Sequence, residues 1–199
     1  MTVVKICGVT RAEDAAVAVA AGADMIGLVL WAPSPRAASE QQARRVREVV
    51  PAGVLLVGVF VDEQPERIDE LVEAAGLDRV QLHGSEPLSL LERYGERAIR
   101  GVRDGDVSGV PAGMPVIYDR PWGEARDVES LHAHWRLAST LVAGRRLLLA
   151  GRLDPDNVGP AVRAVRPYGI DCSSGVESAA GIKDHERVRR LVAAAKEAG

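Results

Sequence analysis

The sequence predicts an α/β protein in which helices cover a parallel sheet, and three observations support this. Eight short apolar runs recur along the chain. Each run is continuous rather than alternating, which is typical of strands that are buried on both faces. Most runs are followed by a polar or glycine-bearing turn and then by apolar residues at helical spacing. The runs cover residues 3–7, 25–30, 55–61, 80–83, 98–102, 116–118, 147–150 and 169–172.

The number and spacing of these runs favour one closed barrel. The chain has 199 residues, so each strand has about 25 residues available, enough for a strand, a helix and two short loops. We therefore predict a single (β/α)8 TIM barrel over residues 1–199, with an open doubly wound sheet as the alternative. Only residues 103–115 separate the fifth and sixth strands, and they hold three glycines and two prolines. We expect the helix between these two strands to be short or missing.

Local sequence also predicts where several helices begin. Residues 10–13 and 39–42 both fit a capping box, in which the hydroxyl of Thr10 or Ser39 would accept a hydrogen bond from a backbone amide three residues on. Asp154 followed by Pro155 predicts an N-cap and the first helical residue.

Composition excludes several classes of protein. The chain is 47% hydrophobic and 27% charged, so we expect a packed core rather than disorder. Its 25 basic and 28 acidic residues form no block of like charge, which argues against binding to nucleic acid or to a membrane surface. We also find no signal peptide and no membrane span, and expect a cytoplasmic protein, with a monomer as the favoured state. With Cys7 and Cys172 as its only cysteines, the chain is not a disulfide scaffold.

The residues after each strand are the candidates for chemistry, because active sites of such barrels lie at the carboxyl ends of the strands. Ser173, Ser174 and Gly175 follow the eighth strand. Small residues let backbone amides approach an oxyanion, so this segment predicts a phosphate site. The alternative is a plain turn.

Two further strand ends carry groups that can move protons. Cys7 ends the first strand and is either a reactive thiolate or a small buried apolar residue. Asp119 ends the sixth strand and is either a general acid, with a pKa raised by burial, or a loop cap. Cys172 lies inside an apolar run, so we assign it to the core.

The remaining candidates are less specific. Arg36 is either a two-pronged clamp for a carboxylate or a solvated loop arginine. His83 beside a glycine is most simply a hydrogen-bonded scaffold residue. His, Asp and Glu residues show no metal-ligand spacing, so we predict no metal.

Taken together, these residues resemble the phosphoribosylanthranilate isomerase family of tryptophan biosynthesis over nearly the whole chain. The similar blocks are Lys5-Ile6-Cys7-Gly8-Val9-Thr10, Gly22-Ala23-Asp24-Met25-Ile26-Gly27, Ser34-Pro35-Arg36, Val57-Gly58-Val59-Phe60, Val80-Gln81-Leu82-His83-Gly84, Leu149-Ala150-Gly151, Asn157-Val158, Val165-Arg166-Pro167-Tyr168-Gly169, Asp171-Cys172-Ser173-Ser174-Gly175-Val176-Glu177 and Gly181-Ile182-Lys183-Asp184. Several such blocks in the same order are highly specific.

The resemblance implies a role for each matched residue. Cys7 matches the general base, Asp119 the general acid, and Arg36 the arginine that holds the anthranilate carboxylate. The reaction implied is an Amadori rearrangement of a small phosphorylated substrate, without a cofactor. The residues that we assign to substrate binding are Arg36, Gly151, Arg152, Asp171, Ser173, Ser174 and Gly175.

The sequence departs from the family pattern at two places. The family's Gly-Gly-x-Gly-Lys segment after the acid is absent from residues 120–134, although Trp135 is kept. Arg152 stands where the family prefers a second glycine, and would either add a positive charge to the phosphate site or crowd it. These changes leave two alternatives to the isomerase: a related barrel with a changed substrate or weak activity, and a non-catalytic binder of a phosphorylated ligand.

Overall fold

A computed structural model of the chain describes residues 1–121 and 127–199. In this part of the chain, eight parallel strands pair in chain order, and β1 also pairs with β8, which closes the barrel. The strands are β1 (Val3–Ile6), β2 (Met25–Val29), β3 (Leu55–Phe60), β4 (Arg79–Leu82), β5 (Ala98–Val102), β6 (Val116–Tyr118), β7 (Leu147–Leu149) and β8 (Gly169–Cys172). The prediction of a (β/α)8 barrel is confirmed.

Helices follow most of the strands and cover the outside of the barrel. They are α1 (Ala12–Ala20), α2 (Glu40–Val49), α3 (Pro65–Ala75), α4 (Leu88–Tyr94), α5 (Val128–Leu141), α6 (Val158–Val165) and α7 (His185–Ala198). Residues 103–115, all of them described, form turns without a helix, as their glycines and prolines predicted. Nowhere in the described ranges is a helix both long enough and apolar enough to pass through a membrane.

A short hairpin after β8 is an element that the sequence did not predict. Its strands, β9 (Glu177–Ala179) and β10 (Ile182–Lys183), are antiparallel and lie between β8 and α7. The hairpin carries Glu177 and Lys183 back toward the mouth of the barrel, where both make contacts described below.

The three predicted helix starts have different outcomes. The Ser39 capping box is present, with Gln42 as its partner. The Thr10 capping box was wrong, because α1 begins after Arg11 and the Thr10 hydroxyl instead donates to the Gly181 carbonyl in the β9–β10 hairpin. Helix α6 begins three residues later than predicted, because Asp154 accepts hydrogen bonds within the preceding turn.

Apolar packing forms two layers. One lies between the strands and the helices. The other consists of residues from β2, β3, β5, β6 and β7, together with the residue that follows β7, and fills the inside of the barrel; they are Met25, Val57, Ile99, Ile117, Leu148 and Ala150. Each large apolar side chain buried in this way stabilises the fold by about 1.5–3 kcal/mol, more than a typical surface ion pair. The two layers therefore hold the strand ends in place for the site.

Candidate active site

The predicted site residues meet at the carboxyl ends of the strands. A cavity of about 320 Å³ lies at this end of the barrel. Eight of the nine predicted residues line it: Arg36, Asp119, Gly151, Arg152, Asp171, Ser173, Ser174 and Gly175. The ninth, Cys7, is buried beside the cavity, where its backbone amide donates to the Cys172 carbonyl at 2.8 Å.

A buried ion pair lies next to Cys7. Lys5 is fully buried, and its Nζ donates to Asp171 Oδ1 at 2.8 Å. Lys5 and Asp171 are register partners in β1 and β8, so the pair joins the two strands that close the barrel. Burial by itself would lower the pKa of Lys5, but the Asp171 carboxylate and the Cys7 thiolate raise it above its ordinary value. Lys5 is therefore a permanent cation beside the thiol.

The environment of Cys7 acts on its pKa in two directions. Burial raises the pKa of the thiol because it disfavours the thiolate, while Lys5 lowers it by charge and by a hydrogen bond. The net direction is upward. A thiolate formed here is thus a stronger base than an exposed one, and Lys5, with a smaller contribution from Lys183, offsets part of the cost of forming it.

Asp119 and His83 face each other at the mouth. His83 Nε2 lies 3.8 Å from Asp119 Oδ2, and His83 Nδ1 lies 2.8 Å from Gln81 Nε2. Burial, assisted by the Arg103 cation, lowers the pKa of His83 to about 3, so this ring is neutral at pH 7. Burial raises the pKa of Asp119, as a general acid requires. The side chain of Asp119 is still 31% exposed, on the side of the cavity.

Arg36 is not a solvated loop arginine. Its Nε and Nη2 atoms form a two-pronged contact with the Glu177 carboxylate, at 2.8–3.1 Å. Glu177 also accepts a hydrogen bond from Lys183 Nζ at 2.9 Å. Burial would raise the pKa of Glu177, but these two cations lower it, so the carboxylate stays ionised. The β9–β10 hairpin thus fixes the guanidinium of Arg36 at the wall of the cavity.

The loops after β7 and β8 are shaped for close approach. A Cβ atom on Gly175 would lie 1.8 Å from the Leu153 carbonyl oxygen, so only glycine fits at this position. Ser173 Oγ is buried and has no hydrogen-bond partner among residues 1–121 and 127–199. A buried hydroxyl in that state costs free energy unless a ligand binds it. This loop is therefore better suited to an oxyanion than to a plain turn.

Arg152 adopts a backbone conformation that glycine prefers. Its φ is +58°, in the left-handed region, and it follows Gly151 at +87°. A non-glycine residue in that region costs about 1–2 kcal/mol. This cost explains why the family that the sequence resembles prefers glycine at this position. Arg152 adopts the left-handed conformation in spite of the cost.

Several residues of the site were not found from the sequence. Lys5, Glu177 and Lys183 form its ion pairs, and Arg120 lines the cavity. Lys5 did carry a signal, because it is a charge inside an apolar run predicted to be buried on both faces, as Arg100 and Asp171 also are. Within the changed segment after the acid, residues 122–126 lie outside the described part of the chain.

The opposite charges of Lys5 and Asp171 predict opposite effects on the Cys7 thiol. Lys5→Met should raise its pKa, because the cation is lost, whereas Asp171→Asn should lower it, because the neighbouring anion is lost. Both changes break a buried pair and should lower the free energy of unfolding by about 3–5 kcal/mol. Carbon-13 NMR of labelled cysteine Cβ, with Cys172→Ser to assign the signals, measures the thiol pKa. Shifts in the same direction would contradict the arrangement.

Comparison with known proteins agrees with the sequence blocks. The model of a family described as N-(5'phosphoribosyl)anthranilate (PRA) isomerase matches residues 4–106 and 123–194. The segment between these matches, residues 107–122, contains β6 and Asp119, so the role of Asp119 rests on its position at the end of the sixth strand.

Relatives and solved structures match over the full length. The N-(5'-phosphoribosyl)anthranilate isomerase of Halorhodospira halophila is 43% identical over 96% of this chain and 95% of its own length. That of Trichlorobacter lovleyi is 40% identical over 100% of both chains.

Solved structures agree in fold as well as in sequence. The phosphoribosyl anthranilate isomerase of Thermotoga maritima is 35% identical, with a TM-score of 0.86 over 99% of this chain and 100% of that one. A phosphoribosyl anthranilate isomerase in complex with reduced 1-(o-carboxyphenylamino)-1-deoxyribulose 5-phosphate is 36% identical, with a TM-score of 0.82 over 99% and 100% of the two chains. The chain belongs to the N-(5'-phosphoribosyl)anthranilate isomerase family.

Proposed function

We propose that this chain converts N-(5'-phosphoribosyl)anthranilate into 1-(o-carboxyphenylamino)-1-deoxyribulose 5-phosphate, with Cys7 as the base and Asp119 as the acid. The observation that carries the proposal is the arrangement at the barrel mouth. There, a carboxyl group with a raised pKa and two glycine-bearing loops line one cavity, and a thiol with a buried cation next to it lies beside that cavity. Family membership identifies the reaction that needs these groups.

The first step opens the sugar ring. Protonated Asp119 donates a proton to the furanose ring oxygen, and the bond between C1 and that oxygen breaks. The nitrogen lone pair forms the C1–N double bond, which gives a protonated Schiff base. The raised pKa of Asp119 increases the fraction of carboxyl groups that hold this proton at neutral pH.

The second step moves a proton from carbon. The Cys7 thiolate removes the C2 proton, and the electrons of the C2–H bond neutralise the iminium nitrogen, which gives an enolamine. Tautomerisation then yields the C2 ketone. Lys5 remains protonated beside Cys7 and favours the thiolate that this step requires.

Ligand binding is divided between the two sides of the cavity. The phosphate would bind Ser173, Ser174, Gly175 and Gly151, where close backbone approach is possible. Arg36 would hold the anthranilate carboxylate through Nη1, because Glu177 already binds its Nε and Nη2 atoms. Asp171 lines the same cavity and orients Lys5.

Complementation tests the function directly. We expect this chain to restore growth of a tryptophan auxotroph that lacks the isomerase, and the purified protein to consume phosphoribosylanthranilate in a steady-state assay. Cys7→Ser should abolish both, because a hydroxyl has a far higher pKa than a thiol; loss of a general base costs about 10²–10⁴ in kcat.

The second cysteine supplies a matched control for this test. Cys172 is also buried, and its thiol donates to the Leu153 carbonyl at 3.1 Å, a bond that serine can replace. Cys172→Ser should therefore keep activity. A folded, soluble wild-type protein without turnover would favour a barrel of changed substrate, and an active Cys7→Ser variant would reject the assignment of the base.

Asp119→Asn tests the general acid. In the wild-type chain the Arg120 backbone amide donates to Asp119 Oδ1 at 2.8 Å. The asparagine amide oxygen can still accept this hydrogen bond, but the side chain cannot donate a proton as an acid. We expect kcat to fall by about 10²-fold or more.

The wild-type rate should fall as the pH rises above the Asp119 pKa, because only the protonated form acts. A variant that changes only KM would make Asp119 a binding residue.

Arg152→Gly separates the two interpretations of the residue after Gly151. If Arg152 contacts the phosphate, its loss should weaken binding of the product by about 1.5–3 kcal/mol, the scale of a hydrogen bond to a charged group. If it crowds the site, the variant should bind equally well or more tightly. Glycine also relieves the left-handed strain in both cases. Titration calorimetry with the product distinguishes contact from crowding. We propose that Arg152 contacts the phosphate and that the variant binds the product more weakly.

The cytoplasmic location of the protein stays a prediction. We also propose that the protein acts as a monomer. The large apolar side chains that are exposed in the described residues belong to several different helices, strands and loops; they are Met1, Val49, Leu88, Val128, Leu137, Tyr168 and Ile182. Light scattering should give a molar mass near 21.2 kDa. Twice that mass would reject the monomer.

A further inference from the structure

Arg120 is a buried arginine at the cavity. The catalytic and binding roles proposed above do not involve it. It directly follows Asp119, is 5% exposed, and lines the same cavity as Gly151 and Ser173. It also lies within residues 107–122, outside the two segments that match the family model. The match to the family therefore assigns no role to Arg120.

The stem of Arg120 is packed against the loop after β7. A Cβ atom on Gly151 would lie 2.5 Å from Arg120 Cγ and 3.0 Å from its Cδ, so the arginine occupies the space that a side chain at Gly151 would need. The positive φ of Gly151, +87°, and this contact both require glycine. The predicted phosphate loop is thus shaped around the Arg120 stem.

The head of Arg120 is oriented by a helix on the other side. Its Nη2 donates to Ser130 Oγ at 2.8 Å, and Ser130 lies in the first turn of α5. Three elements therefore hold the side chain: the end of β6, the loop after β7 and the start of α5. A guanidinium fixed in this way loses little conformational entropy when it binds a ligand.

The chemistry of the cavity indicates the ligand group. A buried guanidinium offers a planar fork that matches the oxygens of a phosphate, and burial weakens the screening of its charge. The Ser173 hydroxyl, at the same cavity, is buried without a partner in the described part of the chain, 2.7 Å from where a Cβ atom on Gly8 would lie. Both side chains line the cavity that the glycine-bearing loops surround.

We propose that Arg120 binds the phosphate group of the ligand and sets its affinity in this chain. The inference rests on the proposed function, which makes the ligand a sugar phosphate. Arg120 would act from the β6 side, opposite Ser173 and Gly175 on the β8 side, so that the phosphate lies between them.

Arg120→Gln tests this with inorganic phosphate as the probe, titrated into the full chain and followed by NMR. The variant should bind phosphate at least tenfold more weakly, and in the steady-state assay KM should rise at least tenfold while kcat changes less than threefold. Arg120→Lys keeps a charge without the fork and should weaken phosphate binding three- to tenfold. Phosphate binding within twofold of wild type in either folded variant would overturn the proposal.

Two further variants separate binding from structure. Arg47→Gln removes another hydrogen-bonded arginine, on α2, and should leave phosphate binding within twofold of wild type. Ser130→Ala removes the bond to Arg120 but keeps the guanidinium, so it should weaken binding less than Arg120→Gln; an equal loss would make Arg120 structural and overturn the proposal. A wild type without turnover, but with phosphate binding that depends on Arg120, would reject the proposed function alone.

Discussion

The buried contact between Lys5 and Asp171 is the constraint on which the rest of the site depends. It joins β1 to β8, the two strands that close the barrel, at a point where Lys5 has no exposure to water. Removing one partner from such a pair costs about 3–5 kcal/mol, because the other charge is left buried. Loss of either residue is therefore costly, and the pair keeps an ammonium group beside Cys7, the residue that directly follows β1.

The closure of the barrel also explains why residues from the two ends of the chain meet. Cys7 and Ser173 follow β1 and β8, which are neighbours only because the sheet is closed. Arg36, after β2, reaches Glu177 in the hairpin after β8 for the same reason. In an open sheet with β1 and β8 at opposite edges, the thiol would be far from the loops that we assign to phosphate.

The sequence predicted the strands better than the side-chain contacts between distant residues. The reason is that burial of a strand is a local property, whereas such contacts are not. Continuous apolar runs report burial on both faces, a local property, so the strands and the missing helix in residues 103–115 were predicted correctly. The partner of Thr10 is Gly181, and that of Arg36 is Glu177, 141 residues away. No local pattern encodes such pairs; Thr10 fitted a capping box and was used in a tertiary contact instead.

Our proposal that Asp119 is the acid at the mouth follows from how burial acts on the two groups that meet there. Asp119 and His83 lie 3.8 Å apart, and burial favours the neutral form of both. For a carboxyl group the neutral form holds the acidic proton, whereas a histidine with a pKa of about 3 has already lost its own. The same low-dielectric surroundings therefore keep the acidic proton on Asp119 to a higher pH and leave the His83 ring neutral, without an acidic proton to donate. His83, hydrogen-bonded to Gln81, is thus a neutral neighbour of Asp119 at the mouth.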